Sequence, residues 1–468
     1  MADKRAPNVL FFGFRRPLNQ QALRQALAGS TVGRVGLISR SNSLGERADY
    51  YLSAKHGFRA CTFDSNPFKA FPSAEFLRGQ QTSEVVVLRM FDRIYRKFSA
   101  GQSYEIRKRL YLEQVTWVYG IIQDLEFDTV ILSDIPHTPF AYILYSVARA
   151  LNKNVFFLLQ IPIKDTFIIS RSIDDMFAPV RTEYQRLKAS GELPPLSPRL
   201  QKEFDRRSGK KHKPFYMSRR DLPLTRRVAD WAKWTFRIDT NLRPHRSLRN
   251  GFAYWRACKP MPAAGTPYVY FPLHLQPEAT TLPMGDIFVD QYVAVEMLAR
   301  ALPRGWVVVL KEHPAQRMAK RDYRFYSRLG RIANVHLVSR DEDTFTLTEN
   351  SRAVASITGT PGWEAIFAGR PVIVFGNAYY RGAPGTVSVN DPGELAIRLD
   401  EIDRGVFPTR ATEDILRYLA ALDRCSYEGI VDKVFLRDSD LSEQQSIENY
   451  TAILKRLIAS PETFDRNG

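Results

Sequence analysis

Short apolar runs recur along this chain, and stretches with helical spacing separate them. In the first half, Val9–Gly13, Arg34–Ser39, Thr129–Ser133 and Asn154–Gln160 read as strands, with helical pattern between them, as at Pro139–Leu151. The second half is cleaner. Tyr268–Leu273, Trp306–Lys311, Asn334–Val338, Ala353–Ile357 and Pro371–Phe375 read as buried strands. Helical segments at Asp290–Ala301, Lys320–Ile332, Asp343–Asn350 and Pro361–Ala368 lie among them. Apolar runs that alternate with helices predict parallel sheets covered on both faces. The tail, Thr412–Leu422 and Leu441–Ser460, has helical spacing, with Asp440 as the expected cap of its last helix and Glu443 at the capping-box position.

Between the halves the pattern fades. From about Ser197 to Thr266 the chain is rich in cations and prolines, and nothing in it reads as a buried strand. The expected organisation is therefore α/β: two Rossmann-like domains facing each other across a cleft. Residues 1–200 form the first, 201–266 a basic connection with some helix, and 267–468 the second with a helical tail.

Composition narrows the class. With 468 residues, 44% of them apolar, the chain can bury two cores. It has no apolar run long enough to span a bilayer. The apolar run Val9–Gly13 is too short for a signal-peptide core. Cys61, Cys258 and Cys425 make neither a disulfide framework nor a metal-ligand spacing, so a reducing cytoplasm is expected. The net charge is +17, and Gln201–Arg256 alone carries 16 lysines and arginines against 5 acids, a net of +11. Such a block meets lipid headgroups, nucleic acid or an acidic glycan, or simply stays solvated. No nucleic-acid recognition module accompanies the charge, so no nucleic-acid partner is expected. Within the block, Val228, Trp231, Ala232 and Thr235 follow helical spacing among Arg226, Arg227, Lys233 and Arg237, joined by Trp234 and Phe236. A helix of that kind lies at an anionic membrane surface or packs on the body of the protein.

Three motifs carry candidate chemistry, and each ends a predicted strand of the second half. At an open α/β sheet that edge is where ligands bind. In Tyr270–Thr281, His274, Gln276, Glu278 and Thr280 alternate along an extended loop, so they share one side and suit a transferred sugar. In Lys311-Glu-His-Pro314, Lys311 and His313 suit a leaving phosphate or an acidic sugar. In Thr358-Gly-Thr-Pro-Gly-Trp-Glu-Ala365, Gly359 and Gly362 permit close backbone approach and Pro361 opens a helix. The amides of that first turn, with the Thr358 and Thr360 hydroxyls, suit a nucleotide phosphate. Glu364 reads equally as a partner for ribose or sugar hydroxyls and as a first-turn acid favoured by the helix dipole. In the first half, Ser133-Asp-Ile-Pro-His137 ends a strand, and Asp134 or His137 is the candidate general base, although an Asp there also caps a helix. Asp341-Glu-Asp343 reads as a helix cap. No metal is expected.

Tyr270–Thr281, Lys311–Pro314, Thr358–Ala365 and the following Arg370–Gly376 resemble bacterial capsule polysaccharide biosynthesis proteins, over roughly Pro267 to Tyr380. That resemblance implies the glycosyltransferase fold called GT-B, the same pair of facing domains, and several members of the family look like Kdo transferases using CMP-Kdo. The His-Pro pair is shared with bacterial sialyltransferases and teichoic acid glycerophosphotransferases. The latter carry Asp-Tyr-Ser-Ser where this chain has Gly359-Thr-Pro-Gly362, which argues against polyol-phosphate transfer. The expectation is a metal-independent enzyme without a cofactor, peripheral at the cytoplasmic membrane. It would move sugar from a nucleotide-sugar donor to a glycan or lipid-linked glycan acceptor, with the donor in the second domain and the acceptor and its base in the first. A nucleotide-sugar epimerase of the same fold and a non-catalytic glycan assembly or export factor are the alternatives.

Overall fold

The computed structural model describes residues 5–54, 66–94, 103–209, 244–462 and 464, apart from 277, 279, 317–320, 390, 409–410, 433–434 and 437–438. In chain order the strands are β1 (Val9–Phe12), β2 (Val35–Ser39), β3 (Tyr50–Ser53), β4 (Thr129–Leu132), β5 (Asn154–Gln160) and β6 (Thr166–Ser170). They continue as β7 (Tyr268–Pro272), β8 (Val307–Lys311), β9 (Val335–Val338), β10 (Ala353–Ser356), β11 (Val372–Val374), β12 (Thr386–Ser388) and β13 (Tyr427–Glu428). The chain divides into two compact units: Met1–Glu183 with Ala421–Gly468, and Tyr184–Ala420.

The first unit holds the sheet ordered β3-β2-β1-β4-β5-β6-β13. Strands β1 to β5 are parallel, while β6 and β13 extend the edge antiparallel. The second unit holds a wholly parallel sheet ordered β9-β8-β7-β10-β11-β12. Each sheet starts in the middle, winds outward one way and then the other. The strand order therefore reverses between β1 and β4 in one unit and between β7 and β10 in the other. Those reversals leave a crevice beyond the strand C-termini, because successive connections diverge to opposite faces. Both units are thus Rossmann-like, as the apolar pattern predicts. Val269, Phe271, Val308, Leu310, Ala355 and Ile373, all fully or nearly fully buried, anchor the second core.

Two expectations need correction. The helix Glu443–Ala459 belongs to the first unit, not the second. Its Ile447, Tyr450, Leu454 and Leu457 pack into the core formed by Leu18, Leu23, Leu27 and Phe11. Its cap is Ser442, not Asp440. Ser442 Oγ accepts from the Gln445 amide and the Gln445 side chain accepts from the Ser442 amide, whereas Asp440 pairs with Lys164 at 2.5 Å. The basic connection carries helix at its flanks, as expected. Pro198–Ser208 and Pro244–Ala257 are helices of the second unit. Arg226–Arg237 lies outside the described residues.

Candidate functional site

At the reversal of the second sheet, register sets the starting points. Pro272 at the end of β7 pairs with Lys311 at the end of β8, so His274 and His313 each emerge two residues beyond a matched strand end. Strand β10 ends beside them at Ser356. The three motifs are brought together here, and buried polar side chains tie them. The Thr358 amide donates to His274 Nε2 at 3.0 Å, so the ring is neutral with its proton on Nδ1. Gln291 holds the His274 backbone as a strand would: Oε1 accepts from its amide at 2.8 Å and Nε2 donates to its carbonyl at 3.1 Å. Gln316 does the same for Gln276, at 2.8 and 3.1 Å. The Thr358 hydroxyl donates to the Thr280 carbonyl at 2.6 Å.

Several motif residues therefore spend their groups on the scaffold. His274 is buried, and burial together with nearby His313 and Arg321 pushes its pKa down to about 3. The Gly359 amide donates to Ser356 Oγ at 3.0 Å. A Cβ on Gly359 would sit 2.9 Å from His274 Nε2, and one on Gly362 would sit 2.3 Å from Tyr380 Oη. These glycines answer to the protein's own side chains. Lys311 is buried, its Nζ donating to Thr344 Oγ1 at 2.6 Å. Glu364 is nearly buried and accepts from Arg207 at 3.2 Å; burial raises its pKa and Arg207 opposes the rise. Asp343 caps the helix Thr344–Asn350 by accepting from the Thr346 amide at 2.8 Å. Glu278 is exposed and accepts from the Thr280 hydroxyl at 3.0 Å.

Gln276 is also held, its Nε2 donating to the Val289 carbonyl and its Oε1 accepting from Arg321 at 3.3 Å, so what remains at the edge is His313, Thr280, Glu278 and the start of the helix Thr360–Phe367. The Ala315 amide donates to His313 Nδ1 at 3.1 Å, which turns the Nε2–H into the ring's donor. Burial lowers the His313 pKa, and Arg321, Lys311 and Arg340 lower it further against the opposing pull of Glu312. A neutral donor in a positive field is suited to an anion. Glu312 escaped the sequence reading. It is fully buried, paired with Arg321 at 2.9 Å, bonded to Tyr326 Oη at 2.7 Å, and it accepts from the His313 amide at 2.8 Å. Arg321 also donates to the His274 carbonyl at 2.7 Å. Gln291, Gln316 and Arg321 carry no local signature, because they hold His274 and Gln276 from 17, 40 and 47 residues away.

At the reversal of the first sheet, a cavity of about 190 Å³ is lined by Gly13, Arg16, Ser133, Asp134 and His137 among others. Gly13 (φ 99°) and Phe14 (φ 33°) make a left-handed turn after β1. A Cβ on Gly13 would lie 2.2 Å from Ser133 Oγ, which accepts from the Phe14 amide at 3.0 Å. Asp134 accepts from the Ile135 amide at 2.8 Å, and His137 Nδ1 stands 3.7 Å from its other oxygen. His137 Nδ1 is also 2.8 Å from the Ile135 carbonyl, so it carries the proton and leaves Nε2 as an acceptor. Burial raises the Asp134 pKa; His137 opposes the rise and Asp432 adds to it. Both candidate bases thus share one cavity. Among the described residues no group of three His, Cys, Asp or Glu could hold a metal ion.

The family model that matches lies within the second unit. Residues 289–394 match the family model of the capsule polysaccharide biosynthesis proteins. That stretch contains Lys311–Pro314 and Thr358–Ala365 and leaves out Tyr270–Thr281. No curated protein matches the chain. Among solved structures, the KpsC beta Kdo 2,7 transferase of Thermosulfurimonas dismutans is similar over 95% of this chain and 99% of its own, at 10% identity and a TM-score of 0.34. The beta Kdo 2,4 transferase of the same KpsC is similar over 70% and 90%, at 15% identity and 0.30. The UDP-GlcNAc 2-epimerase of Neisseria meningitidis bound to UDP-GlcNAc is similar over 88% and 97%, at 11% identity and 0.25.

Proposed function

We propose that this chain is a glycosyltransferase of capsule or surface polysaccharide synthesis. The second unit would take a nucleotide-sugar donor, and the first a glycan or lipid-linked glycan acceptor. One observation carries the reading: His313, a neutral donor in the field of Lys311, Arg321 and Arg340, stands at the end of β8, next to the β7/β10 reversal and within the stretch that matches the family model. In the reaction, an acceptor oxygen attacks the anomeric carbon and the bond from that carbon to the nucleotide phosphate breaks. The departing phosphate gains charge, which His313 and the start of the helix Thr360–Phe367 would stabilise without a metal. The acceptor proton passes to Asp134, whose raised pKa suits a base, with His137 beside it. An acidic sugar linked to CMP, such as Kdo, is the favoured donor, since its carboxylate fits the same positive field. The protein would work at the inner face of the cytoplasmic membrane.

A thermal-shift series with CMP, CDP, UDP and GDP tests the donor. Selective stabilisation by CMP at saturating concentration is expected; equal indifference to all four would remove the nucleotide site. Transfer should fall as pH drops through the raised pKa of Asp134, and Asp134→Asn should lose that acid limb along with about 100-fold or more of the rate. Turnover of a free nucleotide sugar without acceptor would favour an epimerase instead.

A further inference from the structure

The helix Pro244–Ala257 has two apolar faces, and the body of the second unit uses only one. Its inner face is seated on the second unit. Tyr254 and Ala257 are in the core, the Tyr254 ring meets Tyr326 edge-on at 5.4 Å, and Asn250 Oδ1 accepts from the Tyr323 amide at 3.1 Å. Its outer face carries Leu248, Phe252 and Trp255, which are 76%, 68% and 77% exposed. Spacings of four and three residues put the three side chains on one stripe. A stripe of three large apolar groups held outward by a well-seated helix is an uncommon expense on a free surface, and it marks a contact.

Charge says what that contact is with. Arg249 and Arg256 are exposed on the same helix, beside the stripe by helical spacing. The Arg249 guanidinium lies 4.0 Å from the Tyr323 ring centroid, and the Arg324 guanidinium lies 5.7 Å from the same ring. Two cations are thereby gathered on one half-buried ring, with Asp322, the cap of the neighbouring helix Tyr323–Leu329, as the nearby acid. The helix also closes the stretch Gln201–Arg256 with its net charge of +11. Apolar groups ringed by arginines fit the interface of an anionic bilayer, where rings enter the headgroup boundary and guanidinium groups meet phosphates.

We infer that the outer face of the helix Pro244–Ala257 is the membrane contact of this protein, inserting Leu248, Phe252 and Trp255 between anionic lipids. The inference deepens the proposed membrane-linked acceptor, but its test needs no transfer. The whole protein is sedimented with vesicles of phosphatidylglycerol or of phosphatidylcholine, at low and physiological salt. The wild type should bind the first and not the second, and retain part of its binding at physiological salt, because the apolar contact is not screened. Leu248→Ser/Phe252→Ser/Trp255→Ser should lower partition by about tenfold or more and abolish the salt-resistant part. Arg249→Gln/Arg256→Gln/Arg324→Gln should lower low-salt binding and flatten the salt dependence. Brominated lipid should quench the wild type more than Trp255→Phe, a readout that does not require the triple variant to fold. Nucleotide-induced thermal shifts should be the same in all variants, so loss of the membrane contact is distinguishable from loss of the donor site. Wild-type protein left in the supernatant, or a triple variant that binds as the wild type does, overturns the inference. So does a wild-type dimer that the triple variant dissociates, which would make the face a contact between copies of this chain.

Discussion

At the scale of single residues, two histidines at matched strand ends have opposite tasks. His274 is an internal acceptor. Replacing it with Ala strands the buried Thr358 amide, at a cost of about 1–3 kcal/mol. Chemical denaturation should show that loss, and it should shrink in acid. The His274 pKa is about 3 when folded, below the ordinary histidine value, so below about pH 6.5 the unfolded chain binds a proton that the folded one refuses. Stability from this group is therefore full above pH 6.5 and is lost as pH falls towards 3, by on the order of 1 kcal/mol per pH unit. Melting curves at pH 7.5 and 5 on wild type and His274→Ala check the sign: the wild type must lose more on acidification. His313 is half-buried at the sheet edge. His313→Ala should keep the fold and raise the transfer barrier by about 3 kcal/mol, on the order of a hundredfold in rate. Near-wild-type turnover by the folded variant removes His313 from the site.

At the scale of elements, the helix Thr360–Phe367 is positioned by packing at both glycines and by ion pairing behind them. Tyr380 Oη donates to the Gly359 carbonyl at 2.6 Å and lies against Gly362. Gly362→Ala would press a methyl into the tyrosine ring and should cost about 1–3 kcal/mol. The cost should be smaller in a Tyr380→Leu background, because the two sites share the contact. Equal costs in both backgrounds, read from denaturation midpoints, would show that the glycine serves something else. Behind the helix, Glu203 is fully buried between Arg206 and Arg207 and accepts from Trp363 Nε1 at 3.0 Å, while Arg207 reaches Glu364. Glu364 thus braces the helix that carries the Thr358–Gly362 turn.

At the scale of the whole molecule, the chain leaves its first unit at Glu183 and returns to it at Ala421. The returning helix Glu443–Ala459 covers Leu18, Leu23 and Leu27, so the first core is complete only when the last part of the described chain is in place. Truncation after Ser442 should lower or abolish the melting transition of the first unit. The second unit, which ends at Ala420 and so keeps all its residues, should keep its own transition and its nucleotide response. Calorimetry checks this; a single transition lost as a whole would show that the units do not fold separately. Among the described residues no helix is long and apolar enough to cross a membrane.

Local pattern alone determined the parallel strands β1, β2, β4, β5 and β7 to β11, because strands buried on both faces must be apolar throughout. It also determined the places where they end, since the first polar residue after such a run is the first at the sheet edge. That is why His274, His313, Thr358 and Asp134 were legible as edge residues. The edge strands β3, β12 and β13 were not legible, because an edge strand needs only a few apolar positions. Tertiary structure decided which edge residues face outward. Lys311, His274 and Glu364 turned inward because Thr344, the Thr358 amide and Arg207 were there to receive them, and these partners lie 33, 84 and 157 residues away. It also decided the owner of the tail and the exposure of Leu248, Phe252 and Trp255. Helical spacing shows that a face is apolar; only the packed neighbours show whether it is covered.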